Sequence, residues 1–419
     1  MGVSYRDRIV DAELNSRLGA TGAVLIEGPR GCGKTETARR AARSEVRLDV
    51  DAEARSAAIV APAVLLDGEK PRLIDEWQLV PAVWDHIRRD VDEHPDEAGR
   101  FILTGSAVAA DDQVRHSGAL RFTRLRMRPM SLAETGHSNG DVSLSGLFAG
   151  EAPRAGDPGL TIYEVAERVS VGGWPGLLGR TMDQALMALR GSLDETSRVD
   201  LHRLDGVRRD PENVARVLRS LARNISTQAS ARAIATDVSG SEEAIDHHTV
   251  LGYIAALTRL FVIEDLPAWS PALRSRSVLR QARTHHFVDP SLAVAALDAD
   301  PTRLVRDIET LGLLFESLVV RDLRVYAQGL DANVYHYRDN TGLEADAIVQ
   351  RRDGAWAAFE VKLGHRAIDD AAAALLRLAE RVDIERHGRP ATLAVITGWG
   401  YAYRRTDGVD VIPIGTLAP

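Results

Sequence analysis

The sequence predicts an α/β protein with more than one domain, and three observations support this prediction. The chain has 419 residues, 45% of them hydrophobic, which is enough for two or three packed cores. An apolar run at residues 23–27 leads through a glycine-rich loop into a helix-forming stretch at 35–42. Residues 343–349 and 357–363 alternate with period two around an Asp-Gly turn, which predicts a β-hairpin.

Composition excludes several classes of protein. The net charge of −8, from 52 basic and 60 acidic residues, argues against a protein that coats nucleic acid by bulk charge, although a local basic patch is still allowed. The single cysteine, Cys32, excludes a disulfide framework within one chain. The sequence shows no secretory leader and no apolar stretch near the ~20 residues of a membrane span. We therefore expect a soluble, cytoplasmic protein that does not act in a membrane.

The glycine-rich loop fits the phosphate-binding pattern G-x-x-x-x-G-K-[ST]. Its residues are Gly28, Pro29, Arg30, Gly31, Cys32, Gly33, Lys34 and Thr35, and Glu36 follows them. A strand, such a loop and a helix in succession let backbone amides and the helix N-terminus hold phosphates. Lys34 would reach the β- and γ-phosphates, and the Thr35 hydroxyl would ligate Mg²⁺. The pattern predicts ATP and Mg²⁺ as ligands.

Two further apolar runs end in polar residues suited to this chemistry. Asp75 and Glu76 end the run at 72–76, where Asp75 would hold the metal and Glu76 would orient or activate the attacking water. The alternative is a helix start with two acids in its first turn. The run at 101–105 continues into Ser106, and Thr104 or Ser106 would sense the γ-phosphate, unless this is an ordinary strand-to-turn transition.

A basic stretch without an acid covers residues 113–131. An arginine near the γ-phosphate, from the same chain or from a neighbouring subunit, commonly stabilises the transition state of NTP hydrolysis. Arg121 is the first choice for this role and Arg115 the second. A contribution from a neighbour would require a homo-oligomer. For Arg124, Arg126 and Arg128 the alternating pattern favours the solvated face of a strand.

The middle of the chain predicts mostly helices. Residues 136–159 have the composition of loops and a boundary, and residues 162–205 show helical spacing. Residues 213–265 predict three amphipathic helices followed by a wing, as in a winged helix-turn-helix. DNA binding and protein–protein packing remain alternative uses of that unit. A second acid-free basic stretch, at 268–288, would track a nucleic-acid backbone or bind an acidic protein surface.

The C-terminal hairpin would bring Asp346 near Glu360 and Lys362, since residues i and i+2 of a strand share a face. An Asp followed by Glu-x-Lys on the next strand is the arrangement with which PD-(D/E)xK nucleases bind Mg²⁺ and activate water. Glu316, on an apolar helix, would complete the metal-binding acids. The alternative is a hairpin with a cross-strand Asp–Lys pair on a solvated face. The chain has only three lysines, and two of them, Lys34 and Lys362, fall in these two motifs.

These motifs resemble one family when they are taken together in chain order. They are Gly28 to Thr35, Leu73 to Gln78, Leu103 to Ala107, Arg128 to Glu134 and Gly172-Gly173-Trp174-Pro175, followed by Tyr337-Arg338, Gly342-x-Glu344-x-Asp346 and Glu360-Val361-Lys362. They are similar to the bacterial and archaeal AAA-type ATPases that carry a C-terminal domain of unknown function 4143. The resemblance implies a nuclease-like fold for that domain without implying activity. One departure is Leu120, where the family more often has glycine before the arginine that aligns with Arg121.

The sequence therefore predicts four segments: an AAA-type P-loop ATPase domain (residues 1–150) built on a parallel sheet, a helical linker (151–205), a winged helix-turn-helix (206–285) and a restriction-endonuclease-like domain (286–419). The expected function is Mg²⁺-dependent ATP hydrolysis coupled to DNA binding or processing. The alternative is a nucleotide-dependent regulatory switch or interaction protein whose nuclease-like domain is catalytically silent, with a protein as its partner.

Overall fold

The computed structural model describes residues 5–105, 118–239, 245–270 and 282–419. Within these ranges the first twelve helices are α1 (Ile9–Leu18), α2 (Lys34–Ala41), α3 (Ala52–Val60), α4 (Val83–Glu93), α5 (Leu132–Thr135), α6 (Leu144–Phe148), α7 (Ile162–Val171), α8 (Met182–Glu195), α9 (Leu201–Asp205), α10 (Pro211–Arg223), α11 (Ala231–Ser239) and α12 (His247–Arg259). The remaining helices are α13 (Pro290–Ala296), α14 (Pro301–Arg306), α15 (Ile308–Gln328), α16 (Ile368–Arg381) and α17 (Ile384–His387).

The strands form three sheets. They are β1 (Ala23–Glu27), β2 (Ser44–Arg47), β3 (Arg72–Asp75), β4 (Phe101–Gly105), β5 (Phe122–Arg126), β6 (Val142–Ser143), β7 (Ala332–Arg338), β8 (Glu344–Arg351), β9 (Trp356–Lys362), β10 (Leu393–Thr397), β11 (Tyr403–Arg404), β12 (Asp410–Pro413) and β13 (Leu417–Ala418). The predicted strands at 23–27, 72–75 and 101–105 are confirmed.

The first sheet is parallel throughout, with strand order β2-β3-β4-β1-β5. Both faces are buried, because alternate residues of β1 and β4 belong to two different apolar clusters. Ala23 pairs with Phe101 and Phe122, so the three strands begin together at one edge. Their carboxyl ends consequently meet at the other edge, where ligands bind in open α/β sheets. The predicted α/β class with a parallel sheet is confirmed.

The middle of the chain is helical from α7 to α12. A π-helix, Thr196–Asp200, joins α8 to α9 within one continuous helical segment. Helices α10, α11 and α12 pack on one another and correspond to the three predicted amphipathic helices. Two antiparallel bridges follow them, Ile263 with Phe287 and Leu266 with Thr284.

The second sheet is mixed, with strand order β11-β12-β10-β9-β8-β7. The predicted hairpin is formed by β8 and β9, which pair antiparallel with Ala347 opposite Phe359. Helix α15 contacts β7, β8 and β9, and α16 contacts β8, β9 and β10. Because β10 runs parallel to β9, α16 is the crossover between them. The local order is helix, three strands, helix, strand.

Buried polar contacts of α15 help to fix the later part of the chain, and one of them reaches the segment that follows the parallel sheet. Arg321 of α15 donates to Asp289 at 2.8 Å, and Asp322 accepts the backbone N–H of Leu132 at 3.1 Å. Neither Asp289 nor Asp322 is exposed, and burial makes unpaired charges costly. Strand β13 also returns to pair with β6. The chain end is therefore fixed against the N-terminal part.

The arginines of β5 and of the segment after it correct one sequence interpretation. Arg124 is exposed and pairs with Glu27, in agreement with a solvated strand face. Arg128, by contrast, forms a bidentate ion pair with Glu264. Arg126 and Arg324 also lie close to the Glu264 carboxylate. Burial opposes ionisation of Glu264, but these arginines hold its pKa below the usual range. The reason is tertiary: the segment after α12 covers the end of β5.

Candidate functional site

The glycine-rich loop lies at the carboxyl edge of the parallel sheet, directly after β1. Gly31 and Gly33 have φ values of 77° and 102°, which residues other than glycine rarely adopt. A Cβ on Gly28 would clash with the backbone carbonyl oxygen of Met127. Gly33 is also the residue that caps α2. The three glycines are thus required by geometry, and the loop leads into a helix N-terminus.

Lys34 is the first residue of α2 and is only 7% exposed. Its ammonium donates to the backbone carbonyls of Gly28 at 2.9 Å and Pro29 at 2.8 Å. Both hydrogen-bond partners are neutral carbonyls, which do not compensate the positive charge of the lysine. Cys32 is buried below the loop, and Glu36 is exposed and pairs with Arg39.

Asp75 lies at the end of β3, beside the start of α2. Its side chain is almost completely buried and accepts the hydroxyl of Thr35 at 2.9 Å as well as that of Thr104. The neighbouring strands β1, β3 and β4 bring these groups together, although they are 40 and 29 residues apart in sequence. Carboxylate and hydroxyl oxygens are ligands that Mg²⁺ accepts. The donor set therefore fits a magnesium–nucleotide complex.

Glu76 has a backbone conformation that is unusual for a residue with a side chain, with φ 54° and ψ 45°. Such strain, which costs of order 1–3 kcal/mol, concentrates at functional sites. The carboxylate accepts a hydrogen bond from Gln78. Burial raises the pKa of Glu76 above its ordinary value, and the charge of Lys34 partly opposes this shift. A raised pKa suits a group that takes up a proton.

A cavity of about 940 Å³ opens in front of these groups. One wall is the glycine-rich loop with Glu76, and the opposite wall comes from the middle of the chain. That second wall contains Trp174, Ser192, Leu193, Glu195, Thr196, Asp200, Arg203, Leu204, Leu260, Val262 and Leu292. The cavity therefore combines phosphate-binding groups with an apolar and partly charged surface.

The Gly172-Gly173-Trp174-Pro175 motif supports the loop from the second wall. The Trp174 ring lies near Gly31, and its indole N–H donates to Ser291 at 2.9 Å. Gly173 donates to Asp289 and accepts from the backbone N–H of Met130. A Cβ on Gly173 would clash with the Met130 backbone. In the sequence only the family resemblance marks this motif, and it predicts none of these contacts.

Arg121 lies far from the glycine-rich loop within this chain. It immediately precedes β5, so it is at the amino edge of the parallel sheet, and its carbonyl accepts the N–H of Ala23. Its guanidinium pairs with Asp92 at 2.7 Å. The same chain therefore does not supply Arg121 to the loop, and a contribution from a neighbouring subunit stays a prediction. Ser106 and Arg115 lie outside the described residues.

The four residues predicted for the C-terminal site, Glu316, Asp346, Glu360 and Lys362, do lie together. Lys362 of β9 pairs with Glu360 at 2.7 Å and lies 3.5 Å from Asp346 of β8, whose carboxylate also accepts the N–H of Val361. Burial raises the pKa of Glu360 to about 8, and the charge of Asp346 adds to this effect. Burial likewise raises the pKa of Glu316 well above its usual value, again reinforced by Asp346.

The ligand atoms of the acids in this cluster do not all lie within 4.8 Å of one another. In the described parts of the chain, the group of three acidic or histidine side chains whose ligand atoms all lie within 4.8 Å of one another is Asp246, His247 and His248. That group is on the surface at the start of α12. Glu316, Asp346 and Glu360 are held together mainly through Lys362, which occupies the space between two of them.

Within the described part of the second basic stretch, Ala282 and Arg283 are exposed, whereas residues 284–288 are mostly buried. Arg274, Arg276 and Arg280 lie outside the described residues. His285 is partly buried and pairs with Asp265 at 3.0 Å. His286 is fully buried and contacts Ser317. His286 thus holds the segment against α15, whereas His285 is bonded to Asp265 and the carbonyl of Ala229, so neither ring is available to a nucleic-acid backbone. No helix in the described parts of the chain is long and apolar enough to cross a membrane.

Three solved structures resemble the chain at low identity. The Walker-type ATPase PABY2304 of Pyrococcus abyssi is 14% identical, with 68% of this chain and 94% of that chain covered and a TM-score of 0.42. The ORC1 protein of Aeropyrum pernix, solved in complex with DNA, is 14% identical over 72% and 94% of the chains, with a TM-score of 0.24. The replication initiator DnaA bound to AMPPCP and single-stranded DNA is 14% identical over 61% and 89%, with a TM-score of 0.21.

Family models divide the chain into three parts, and a comparison with curated proteins finds no match. An AAA domain matches residues 20–136, a domain of unknown function (DUF8612) matches 162–303, and a domain of unknown function (DUF4143) matches 311–417. The first match contains the glycine-rich loop, and the third contains Glu316, Asp346, Glu360 and Lys362. These matches, to an AAA domain followed by a C-terminal domain of unknown function 4143, agree with the resemblance that the sequence motifs indicate.

Proposed function

We propose that this protein binds and hydrolyses ATP with Mg²⁺ at the carboxyl edge of its parallel sheet. The observation that carries the proposal is Lys34, a buried ammonium that lines a cavity of about 940 Å³ and whose hydrogen bonds, among the described residues, go to neutral carbonyls. A phosphate chain offers this charge a far stronger partner than two carbonyls do. The N-terminus of α2 adds further attraction for anions.

The chain's own residues divide the chemistry among them. Thr35 and Asp75 would hold the cation, which when bound neutralises charge on the phosphate oxygens. Thr104 orients the Asp75 carboxylate through its hydroxyl. Glu76 would position the attacking water and accept its proton, a role that its raised pKa favours. Gly28, Gly31 and Gly33 would keep the loop open enough for backbone amides to face phosphates.

Phosphate release from ATP tests this function. We expect Mg²⁺-dependent hydrolysis by the parent protein and a loss of at least about 100-fold in Lys34→Ala, as is typical when a preorganised charge is removed. Lys362→Ala is the matched control, because it removes the other motif lysine and should leave hydrolysis unchanged. Equal activity in the parent and in Lys34→Ala would contradict the proposal.

We further propose that ATP turnover serves DNA binding or processing by the second half of the chain. The supporting observation is that Glu316, Asp346, Glu360 and Lys362 converge on one hairpin and its packed helix, with the local order of a nuclease-like fold. Helices α10 to α12 with the following bridges have the order of a winged helix. The alternative is a nucleotide-dependent switch with a silent cluster, which is favoured by the contacts of Lys362 with Asp346 and Glu360.

Cleavage assays separate these two possibilities. Plasmid and single-stranded DNA are incubated with Mg²⁺ or Mn²⁺, with and without ATP. Metal-dependent cleavage that is lost in both Asp346→Ala and Lys362→Ala supports processing. Absence of cleavage under every condition, together with ATP hydrolysis that is lost in Lys34→Ala, supports the switch. A size measurement with ATP bound tests whether a neighbouring subunit supplies Arg121: a monomer would argue against it.

A further inference from the structure

The glycine-rich loop is tied to the opposite wall of its cavity by one ion pair. Arg30, within the loop, lies 2.7 Å from the Asp200 carboxylate. The Arg30 side chain is 54% exposed, whereas that of Asp200 is 9% exposed. Asp200 ends the π-helix that interrupts the segment from α8 to α9, and π-helical turns occur frequently at functional sites. One partner therefore has room to turn towards a ligand, and the other is fixed in a helix.

The surroundings of Asp200 make it dependent on Arg30. Burial raises the pKa of Asp200, Arg30 opposes that shift more than any other neighbour, and the charge of Glu195 reinforces it. Arg203, one turn away and exposed, is the second compensating cation. A carboxylate this buried becomes costly when its main partner leaves.

Arg30 also faces the position that phosphates would take. It is one of the eight residues of the phosphate-binding pattern and lines the same cavity as Glu76, where its charge, together with that of Lys34, partly opposes the rise that burial causes in the pKa of Glu76. A guanidinium binds phosphate oxygens through two parallel hydrogen bonds. A bound nucleotide would thus compete with Asp200 for the same side chain, and would bring further negative charge towards Asp200.

We propose that the Arg30–Asp200 ion pair is a nucleotide-sensing latch between the glycine-rich loop and the α8–α9 segment. Phosphates take Arg30 from Asp200, and the helical segment then moves away from the loop because its carboxylate has lost its partner. Nucleotide binding and closure of this segment oppose each other, and by linkage each weakens the other by the same factor. This inference rests on the proposed nucleotide site and assigns to Asp200 a role in regulating it.

Binding of ADP and of a non-hydrolysable ATP analogue tests the latch by calorimetry. Asp200→Asn keeps the shape and removes the charge, and we expect affinity to rise about tenfold, within the range for coupled sites. In the Arg30→Gln background the same substitution should change affinity less than twofold. Asp194→Asn is the matched control: Asp194 is exposed on the same helix, pairs with Arg198 and should leave affinity unchanged.

Hydrogen exchange of residues 196–205 gives a second readout that does not depend on affinity. Nucleotide should accelerate exchange there in the parent, while Arg30→Gln should show fast exchange without nucleotide, even if Asp200→Asn does not fold. Unchanged or weaker affinity in Asp200→Asn, or protection of 196–205 by nucleotide, would overturn the latch while leaving the nucleotide site intact. If the parent binds no nucleotide, the proposed function itself fails and the latch fails with it.

Discussion

The two motif lysines occupy opposite electrostatic situations. Lys34 is buried among neutral carbonyls and faces a large cavity. Lys362 is bonded to Glu360, lies near Asp346 and has its positive charge balanced by the protein itself. Burial opposes the charge of Lys362, but these acids raise its pKa above the ordinary value. The charge of Lys34 is therefore available to a ligand, whereas acids of the protein compensate most of the charge of Lys362.

The same residue type in two motifs therefore does not make two equivalent sites. A phosphate binder needs donors that the protein leaves uncompensated, because only then does the ligand provide the missing partner. A metal site needs acids that are ionised and close together, and at the C-terminal cluster burial keeps Glu316 and Glu360 inclined towards the protonated form.

Glu76→Gln should separate binding from chemistry at the first site. The amide keeps the hydrogen-bonding shape but does not accept the proton, so we expect hydrolysis to fall by about 10²–10⁴-fold while ATP affinity changes little. Single-turnover phosphate release and equilibrium binding measure the two quantities. Hydrolysis within a few-fold of the parent would remove Glu76 from the mechanism and leave the proposed phosphate binding standing.

Gly28→Ala should destabilise the first site, because the new Cβ would clash with the Met127 carbonyl oxygen. We expect a loss of about 1–3 kcal/mol in the free energy of unfolding, as for other overpacked positions. Gly312, in α15 beside the second site, is the matched control: beyond its own helix backbone, no atom in the described parts of the chain lies within 4 Å of the position a Cβ would take. Gly312→Ala should stabilise the protein by about 0.5–1 kcal/mol. Denaturant titrations that gave both variants the same stability would contradict this packing argument.

Lys362→Met should lower stability in a pH-dependent manner. Removing the ammonium leaves buried acids without their cation, and we expect a cost of about 1–3 kcal/mol at a pH of about 9. At a pH of about 6 the cost should be smaller, because Glu360 with a pKa of about 8 is then protonated. Thermal unfolding in EDTA at both pH values measures this difference. A cost that does not depend on pH would show that the lysine acts through packing alone.

Ionisation of the Glu360 carboxyl group should make the parent protein less stable as pH rises. Its pKa is near 8 in the folded protein and near 4.5 in the unfolded chain, so the folded state binds the extra proton between these values. The resulting stabilisation is complete below about pH 4.5 and is lost as pH rises through 8. Glu360→Gln should flatten this slope, whereas Glu385→Gln, at an exposed position of α17, should not. Identical slopes in all three proteins would be evidence against the raised pKa.

The sequence was most informative where function depends on neighbouring residues in the chain. Gly28 to Thr35 and the pair Asp75–Glu76 form short local patterns, and the strands around them follow from hydrophobic runs. For Arg121 the sequence leaves a same-chain role and a role in a neighbouring subunit open. Its position contains a signal against the first, because a residue that precedes a parallel strand lies at the edge opposite the glycine-rich loop. The roles of Asp200 and Glu264 depend on tertiary packing alone, because neither residue belongs to a sequence pattern. Their ion-pair partners come from segments more than 100 residues away.

Direct measurement of nucleotide binding tests the claim that the uncompensated charge of Lys34 binds phosphate. Calorimetric titration of the parent, Lys34→Ala and Lys362→Ala with a non-hydrolysable ATP analogue and Mg²⁺ compares the two lysines in one experiment. We predict binding by the parent and by Lys362→Ala with equal affinity, and a loss of at least about 100-fold in Lys34→Ala. A parent protein that binds no nucleotide, or a Lys34→Ala variant that binds as tightly as the parent, would contradict this claim.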